Sequence, residues 1–239
     1  MMQKKRPLST RFVPGIVLLS CVLAVGLHSA WAAVDLTDYF PLEAGSWWGY
    51  DLYQYDSSGW SVLSGQYSVV GTKDMGGGTI ASALMDPGGM IQWMGWSSTG
   101  LLLFGEEMPD EWSSSLRRPL YYVNNSMEVG STCSGDSIID LFWEPQHTFY
   151  GTANESMSYT LLAVTDVTLP AGEFLDCAVF LYEDIWSGSG EFYYEKGLMV
   201  LAPGVGPVFS KVFQASSVQG VVDWAIIIAV LSDYSIAPP

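Results

Sequence analysis

Apolar runs of strand length alternate with short turns rich in glycine, proline and serine along most of the chain. The most regular succession has apolar runs at 174–182, from Phe192 onward and at 205–213, separated by turns at 187–190 and 203–204. Runs of this length between turn signals are typical of an antiparallel meander. The pattern therefore predicts consecutive strands joined by hairpin turns.

The aromatic segment 46–55 has equally clear strand character. Alternation of side chains along a strand places Trp48, Tyr50 and Leu52 on one face. A Ser-Gly turn then predicts a hairpin with a second strand at 60–71. Aromatic residues occupy both faces of the first strand, so neither face is marked as the solvent side.

Three other segments carry predictions of their own. Residues 35–45 form a lead-in, and the polar stretch 106–118 predicts a surface loop. The last apolar run, 221–231, is too short to cross a bilayer as a helix. We expect it to be a final strand buried on both faces.

No long stretch shows helical periodicity, so the predicted class is all-β and antiparallel, with roughly ten to thirteen strands. A twisted sheet of that size must curl, split or close. The sequence leaves open whether it forms a strongly curved sheet, a half-barrel, a closed barrel or a barrel-like sandwich. We expect residues 33–239 to form a single all-β domain.

The N-terminus has the organisation of an export signal. Basic residues at 4–6 precede an apolar core at 13–27, and Ala30-Trp31-Ala32 is a small-x-small cleavage site. We expect residues 1–32 to be a signal peptide, with the remaining protein periplasmic or secreted and without a transmembrane span. A lipoprotein processed at Cys21 is the alternative, although the apolar core continues past that cysteine.

Removal of the signal makes the charge balance strongly acidic. Four of the nine basic residues lie within 1–32, so five basic residues remain against 25 acidic ones, a net charge of −20. Such a surface repels nucleic acid, which is excluded as a partner. It also keeps an aromatic-rich exported protein dispersed.

Residues 33–239 contain two cysteines, Cys133 and Cys177. An oxidising compartment allows a disulfide between them, and two buried free thiols are the alternative. The sequence alone leaves both open, since the separation of the two Cα atoms decides the question.

Catalytic signatures are weak. His147 is the one histidine after residue 32, and no nucleophile elbow accompanies it. Glu183 with Asp184, and Glu106 with Glu107, are adjacent carboxylate pairs whose members point to opposite sides of a strand. We therefore predict no catalytic residue, no metal site and no cofactor, and a hydrolase using paired carboxylates ranks last among the functions considered.

The high aromatic content is the most informative feature of the composition. Aromatics on both strand faces suit a packed core, a curved sheet enclosing an apolar cavity, or an exposed surface for glycan or protein contact. If a cavity exists, the candidate ligand-binding residues come from several strands: Trp48, Tyr50, Trp93, Trp96, Phe180 and Tyr182.

Four ordered motifs resemble a diffuse group of exported bacterial β-rich proteins of uncharacterised function. The motifs are YFPL (39–42) followed by GSWWGY (45–50), GLLLFGEE (100–107), LPAGEF (169–174) with Cys177, and APGVGPV (202–208). The chain departs from the group at Leu102, where a tyrosine is expected. The resemblance implies an exported, β-rich fold and carries over no functional residue.

Together these observations predict an exported bacterial envelope protein that binds an apolar or lipid-like small molecule without catalysis. The alternative is a structural or interaction module that contacts an envelope protein or a glycan through exposed aromatics, around a packed interior.

Overall fold

The structure, a computed structural model, describes residues 33–76, 78–188, 190–218 and 220–238. The expected signal peptide at 1–32, including Cys21, lies outside the described residues. Within the described ranges, no helix has both the length and the apolar character needed to cross a membrane.

Fifteen strands and one short 3-10 helix, Thr37–Tyr39, account for most of this part of the chain. The strands are β1 Val34–Asp35, β2 Trp47–Asp56, β3 Gly59–Asp74, β4 Ile80–Met85, β5 Ile91–Trp96, β6 Gly100–Met108, β7 Trp112–Leu116, β8 Leu120–Asn124, β9 Ser126–Met127, β10 Thr132–Trp143, β11 Thr148–Leu169, β12 Gly172–Gly188, β13 Glu191–Ala202, β14 Gly206–Val218 and β15 Val221–Ser235.

Twelve of the strands form a closed antiparallel barrel. The order runs β5-β4-β3-β2-β15-β14-β13-β12-β11-β10-β7-β6, and β6 also pairs with β5, so the strands form a ring. The two halves of the chain join where β15 pairs with β2, with Leu231 opposite Tyr50. The predicted all-β antiparallel meander is confirmed, and the structure selects the closed barrel among the shapes left open.

Closure follows from the size of the sheet. A twisted antiparallel sheet of this many strands would otherwise expose two long edges. Eight-stranded barrels fill with side chains, whereas wider ones leave internal space. A ring of twelve strands therefore favours an interior cavity over a solid core.

The prediction of a surface loop at 106–118 is wrong. Strand β6 continues to Met108 and β7 begins at Trp112, so this polar stretch is a hairpin in the barrel wall. Its polar character is explained by its inner side chains, because Glu106 and Ser114 face the cavity.

The lead-in at 35–45 crosses one end of the barrel. Trp96 on β5 donates its indole N–H to the Phe40 carbonyl, and the Tyr39 hydroxyl donates to the Asp176 carbonyl on β12. These two strands are nearly opposite in the ring. Leu36, Tyr39 and Phe40 are buried, so this segment forms a floor.

The final strand β15 is only partly buried. Ala229 and Leu231 point inward and are buried, whereas Trp224 is exposed and the isoleucines at 226–228 are half-buried. The expectation of burial on both faces is therefore wrong for the start of this strand, where residues 221–224 are exposed on both faces.

Candidate ligand cavity

A cavity of about 960 Å³ occupies the interior of the barrel. Inward-facing side chains line it because they alternate along each strand, as Trp48, Tyr50 and Leu52 do on β2. The volume lies within the range of small-molecule sites in proteins, roughly 300–1,000 Å³.

The half of the cavity next to the floor is apolar. Phe40 and Leu42 of the floor segment lie there with Trp48, Tyr50 and Phe209. The Trp48 indole N–H and the Tyr50 hydroxyl donate to the carbonyls of Val205 and Pro207, which lie at the turn before β14 and at its start. Because backbone carbonyls accept these hydrogen bonds, Trp48 and Tyr50 expose mainly their apolar rings to the interior.

The other half contains a ring of carboxyl groups, here termed the acidic band: Glu106, Glu155, Asp184 and Glu195. Strands β11, β12 and β13 provide three of them, and β6, separated from β11 by β10 and β7, provides Glu106. Asp184 and Glu195 are direct partners in the β12–β13 ladder. Two carboxylates directly opposite each other would repel and destabilise the sheet, so this pairing favours a proton on one of the two groups.

Burial and mutual repulsion hold protons at neutral pH on two of these groups, Glu155 and Asp184. Burial raises the pKa of Glu155 to about 9, with the negative charges of Asp184 and Glu106 adding to the effect. Burial likewise raises the pKa of Asp184 to about 8, with contributions from Glu106 and Glu195. The pKa of Glu106 is also raised by burial, against a hydrogen bond of 2.8 Å donated by Gln92.

Glu195 differs from its neighbours because three side chains donate hydrogen bonds to it. The hydroxyls of Tyr182 and Tyr193 bind its two oxygens, and the Gln214 amide lies 2.7 Å from Oε2. Burial, together with the nearby charge of Glu195, raises the pKa of both tyrosines, which therefore remain donors. This network fixes one side of the acidic band.

The open end of the cavity is marked by exposed residues among its lining. Trp143 and Tyr150 stack there with ring centroids 4.4 Å apart, and Glu191 lies nearby at the start of β13. A ligand entering from this end would meet the acidic band first and the apolar half afterwards.

The six aromatic residues chosen from the sequence fall into two groups. Trp48, Tyr50 and Tyr182 line the cavity. Three others do not: Trp93 donates to Glu107 and lies under Lys73, Trp96 binds the floor segment, and Phe180 is fully buried in the core. A role in ligand binding stays a prediction for all six.

The remaining candidates from the sequence lie elsewhere. His147 stacks on Phe142 and binds Glu144. Cys133 and Cys177 are buried free thiols on β10 and β12, with β11 between the two strands. In the part of the chain that the structure describes, no group of three or more His, Cys, Asp or Glu side chains is arranged to hold a metal ion.

Sequence reasoning missed Glu155 and Glu195 entirely and placed Glu106 in a loop. Glu155 lies in the polar segment between two apolar runs that the structure joins into the single long strand β11. Alternation along the strand could have identified Glu155, because it lies two residues before Met157 and four before Tyr159, and all three side chains point inward. A hydrophobicity pattern does not reveal such residues, because it assigns polar side chains to the solvent side of a strand.

No protein-family model and no curated protein matches the chain. Two solved structures are similar in fold. One, from Bacteroides fragilis, is named as an exported protein with a YmcC-like fold; it is 16% identical with a TM-score of 0.47, over 82% of this chain and 98% of that one. The other, named as a lipoprotein from Parabacteroides distasonis, is 16% identical with a TM-score of 0.45, over 84% and 100%. Because the sequence identity is this low, a function is argued only from the side chains that line the cavity of the present chain.

Proposed function

We propose that this protein is exported to the bacterial envelope or beyond and binds a small molecule with an apolar portion inside its barrel, without catalysis. The observation that carries the proposal is the cavity of about 960 Å³, closed at one end by the floor segment and open at the other. Export is supported by the signal-like organisation of residues 1–32.

The apolar half of the cavity supplies the driving force for binding. Rings and aliphatic side chains there include Phe40, Trp48 and Phe209, and contact with a ligand would remove their surface from water. Burial of apolar surface contributes roughly 25 cal/mol per Å². A preformed cavity also spares the ligand the cost of ordering the chain around it.

Native mass spectrometry of the processed protein, purified from its own envelope fraction, tests this proposal. We expect extra mass of small-molecule size that is lost on denaturation. A bare monomer that also fails to take up added apolar ligands would contradict it. Ala229→Phe, which places a ring in the apolar half, should weaken binding strongly, whereas Ile228→Phe should not, because Ile228 and its ladder partners Lys211 and Tyr53 lie outside the cavity lining.

Binding of a protein or glycan by exposed aromatics is the second candidate. Trp60, which is 60% exposed, contacts Tyr55 at 5.1 Å between ring centroids, and Tyr55 contacts Trp224 at 5.8 Å. The interior cavity contradicts the packed interior that this alternative predicted, so it ranks second. Loss of glycan or protein retention in Trp60→Ser, with cavity binding unchanged, would support it.

A further inference from the structure

Glu155 is a largely buried residue whose carboxyl group faces the cavity. The residue is 7% exposed and lines the cavity, and its side chain makes no hydrogen bond to any described residue. One carboxylate oxygen of Asp184, Oδ1, is also buried and unpartnered. Buried polar groups in folded proteins are nearly always hydrogen-bonded, so Oδ1 of Asp184, beside a cavity-facing Glu155 without a side-chain donor, suits a donor from outside the chain.

The charge of the cavity indicates the kind of donor. Its lining contains six acidic residues and, among the described residues, no lysine, arginine or histidine: Asp86, Glu106, Glu155, Asp184, Glu191 and Glu195. An anionic ligand would be repelled there. A ligand with positive charge would supply the missing donors and would allow Asp184 to ionise beside Glu195.

Aromatic rings surround the same region. Tyr159 and Tyr182 stack with ring centroids 5.7 Å apart, and Tyr122 lies 4.7 Å from Tyr159. Trp186 is the ladder partner of Glu155 and also lines the cavity. Aromatic faces attract organic cations, most strongly when water is excluded.

We propose that the cavity binds an organic ammonium compound, an amine carried on an apolar chain, with the ammonium group at the acidic band and the chain in the half next to the floor. This inference rests on the proposed function, because it names the class of ligand for the same cavity. The ammonium N–H groups donate to Glu155 and to Oδ1 of Asp184, and the tyrosine rings flank the charge.

Titration of the acidic band makes this binding depend on pH. The groups that face Glu155 and Asp184 come from five strands: Glu106 on β6, Tyr122 on β8, Tyr159 on β11, Tyr182 on β12, and Tyr193 and Glu195 on β13. Because burial raises the pKa of Glu155 to about 9 and that of Asp184 to about 8, both carry protons in the empty cavity at neutral pH. An arriving ammonium group displaces those protons, so affinity rises from about pH 6 to about pH 9.

Three probes of equal chain length test the proposal: octylamine, octanol and octanoate, titrated calorimetrically into refolded, ligand-free protein. We expect octylamine to bind roughly tenfold to a hundredfold more tightly than octanol, because it adds charge-assisted hydrogen bonds. Octanoate should bind more weakly than octanol. In buffers of different ionisation enthalpy, the measured heat should reveal proton release with octylamine alone.

The double variant Glu155→Gln with Asp184→Asn should bring octylamine to the affinity of octanol. Glu183→Gln removes the same charge from the neighbouring residue, which pairs with Lys196 outside the cavity, and should leave the preference intact. Equal binding of octylamine and octanol to the unmodified protein would overturn the ammonium inference and leave the proposed function standing. Tighter binding of octanoate, or no binding of any probe, would also overturn it, while native mass spectrometry separately decides the proposed function.

Discussion

Glu183 and Asp184 are adjacent in the sequence and lie on opposite sides of the barrel wall. The Glu183 carboxylate accepts hydrogen bonds from Lys196 at 3.3 Å and from the Tyr194 hydroxyl at 2.9 Å, whereas Asp184 lines the cavity and leaves Oδ1 without a partner. The Glu183 carboxylate thus has hydrogen-bond donors, whereas one oxygen of the adjacent Asp184 has none. Glu183 therefore provides a matched control for charge removal inside the cavity.

Replacement of Glu155 by glutamine should stabilise the ligand-free protein increasingly as pH rises. Burial holds the folded-state pKa at about 9, whereas an unfolded glutamate has a pKa of about 4.3. Between these values the folded chain retains a proton that the unfolded chain releases, so the wild-type residue lowers stability progressively. The gain should grow from near zero at about pH 4 to roughly 1–3 kcal/mol at about pH 8.

Urea unfolding of Glu155→Gln and wild type at a series of pH values measures this difference. Glu183→Gln, which removes an exposed ion pair, should change the free energy of unfolding by less than about 1 kcal/mol. A gain for Glu155→Gln that is the same at every pH would refute the assignment of a buried, protonated carboxyl.

Loss of the Tyr193 hydroxyl should weaken the network around Glu195. Tyr193→Phe removes one of three donors to a partly buried carboxylate, and we expect a loss of roughly 1–3 kcal/mol in the free energy of unfolding. Tyr194→Phe, which removes a donor to Glu183 on the outside, should cost less than about 1 kcal/mol. Equal losses in chemical denaturation would show that the inner network has no special strength.

Gly197 is required where β13 packs closely against β14. A Cβ atom on Gly197 would lie 2.4 Å from the Lys211 carbonyl oxygen and 2.9 Å from the Val212 Cα atom, both backbone atoms. Gly197→Ala should therefore destabilise the barrel by at least about 2 kcal/mol, measured by thermal or urea unfolding. A Cβ atom on Gly71 would meet no atom within 4 Å apart from its chain neighbours. The free energy of unfolding of Gly71→Ala should therefore stay within about 0.5 kcal/mol of the wild-type value.

Both cysteines should be free thiols that react only after unfolding. Burial raises the pKa of Cys177 to about 11 and also raises that of Cys133, so little thiolate is present at neutral pH. We expect two thiols per processed chain with a thiol reagent in denaturant, and slow reaction in its absence. Zero thiols in denaturant, restored to two by a reductant, would instead indicate the disulfide that the sequence left open.

Local pattern alone determined much of the wall of the barrel. Alternation placed Trp48, Tyr50 and Leu52 on one face, and the structure confirms that this face points inward. The opposite orientation of Glu183 and Asp184 followed from the same rule. These predictions succeed because the direction of a side chain on an extended backbone depends only on its position along the strand.

The tertiary structure decided which faces enclose a space and which residues meet across it. Pairing of β15 with β2 closes the ring, and closure brings Glu106 of β6 into the same cavity as Glu155 and Glu195. The sequence places these three carboxylates far apart, in segments that hydrophobic patterning marks as loop or polar. The three carboxylates come together because of the strand order and the register between distant strands. The alternation of side chains along a single strand does not specify either of these.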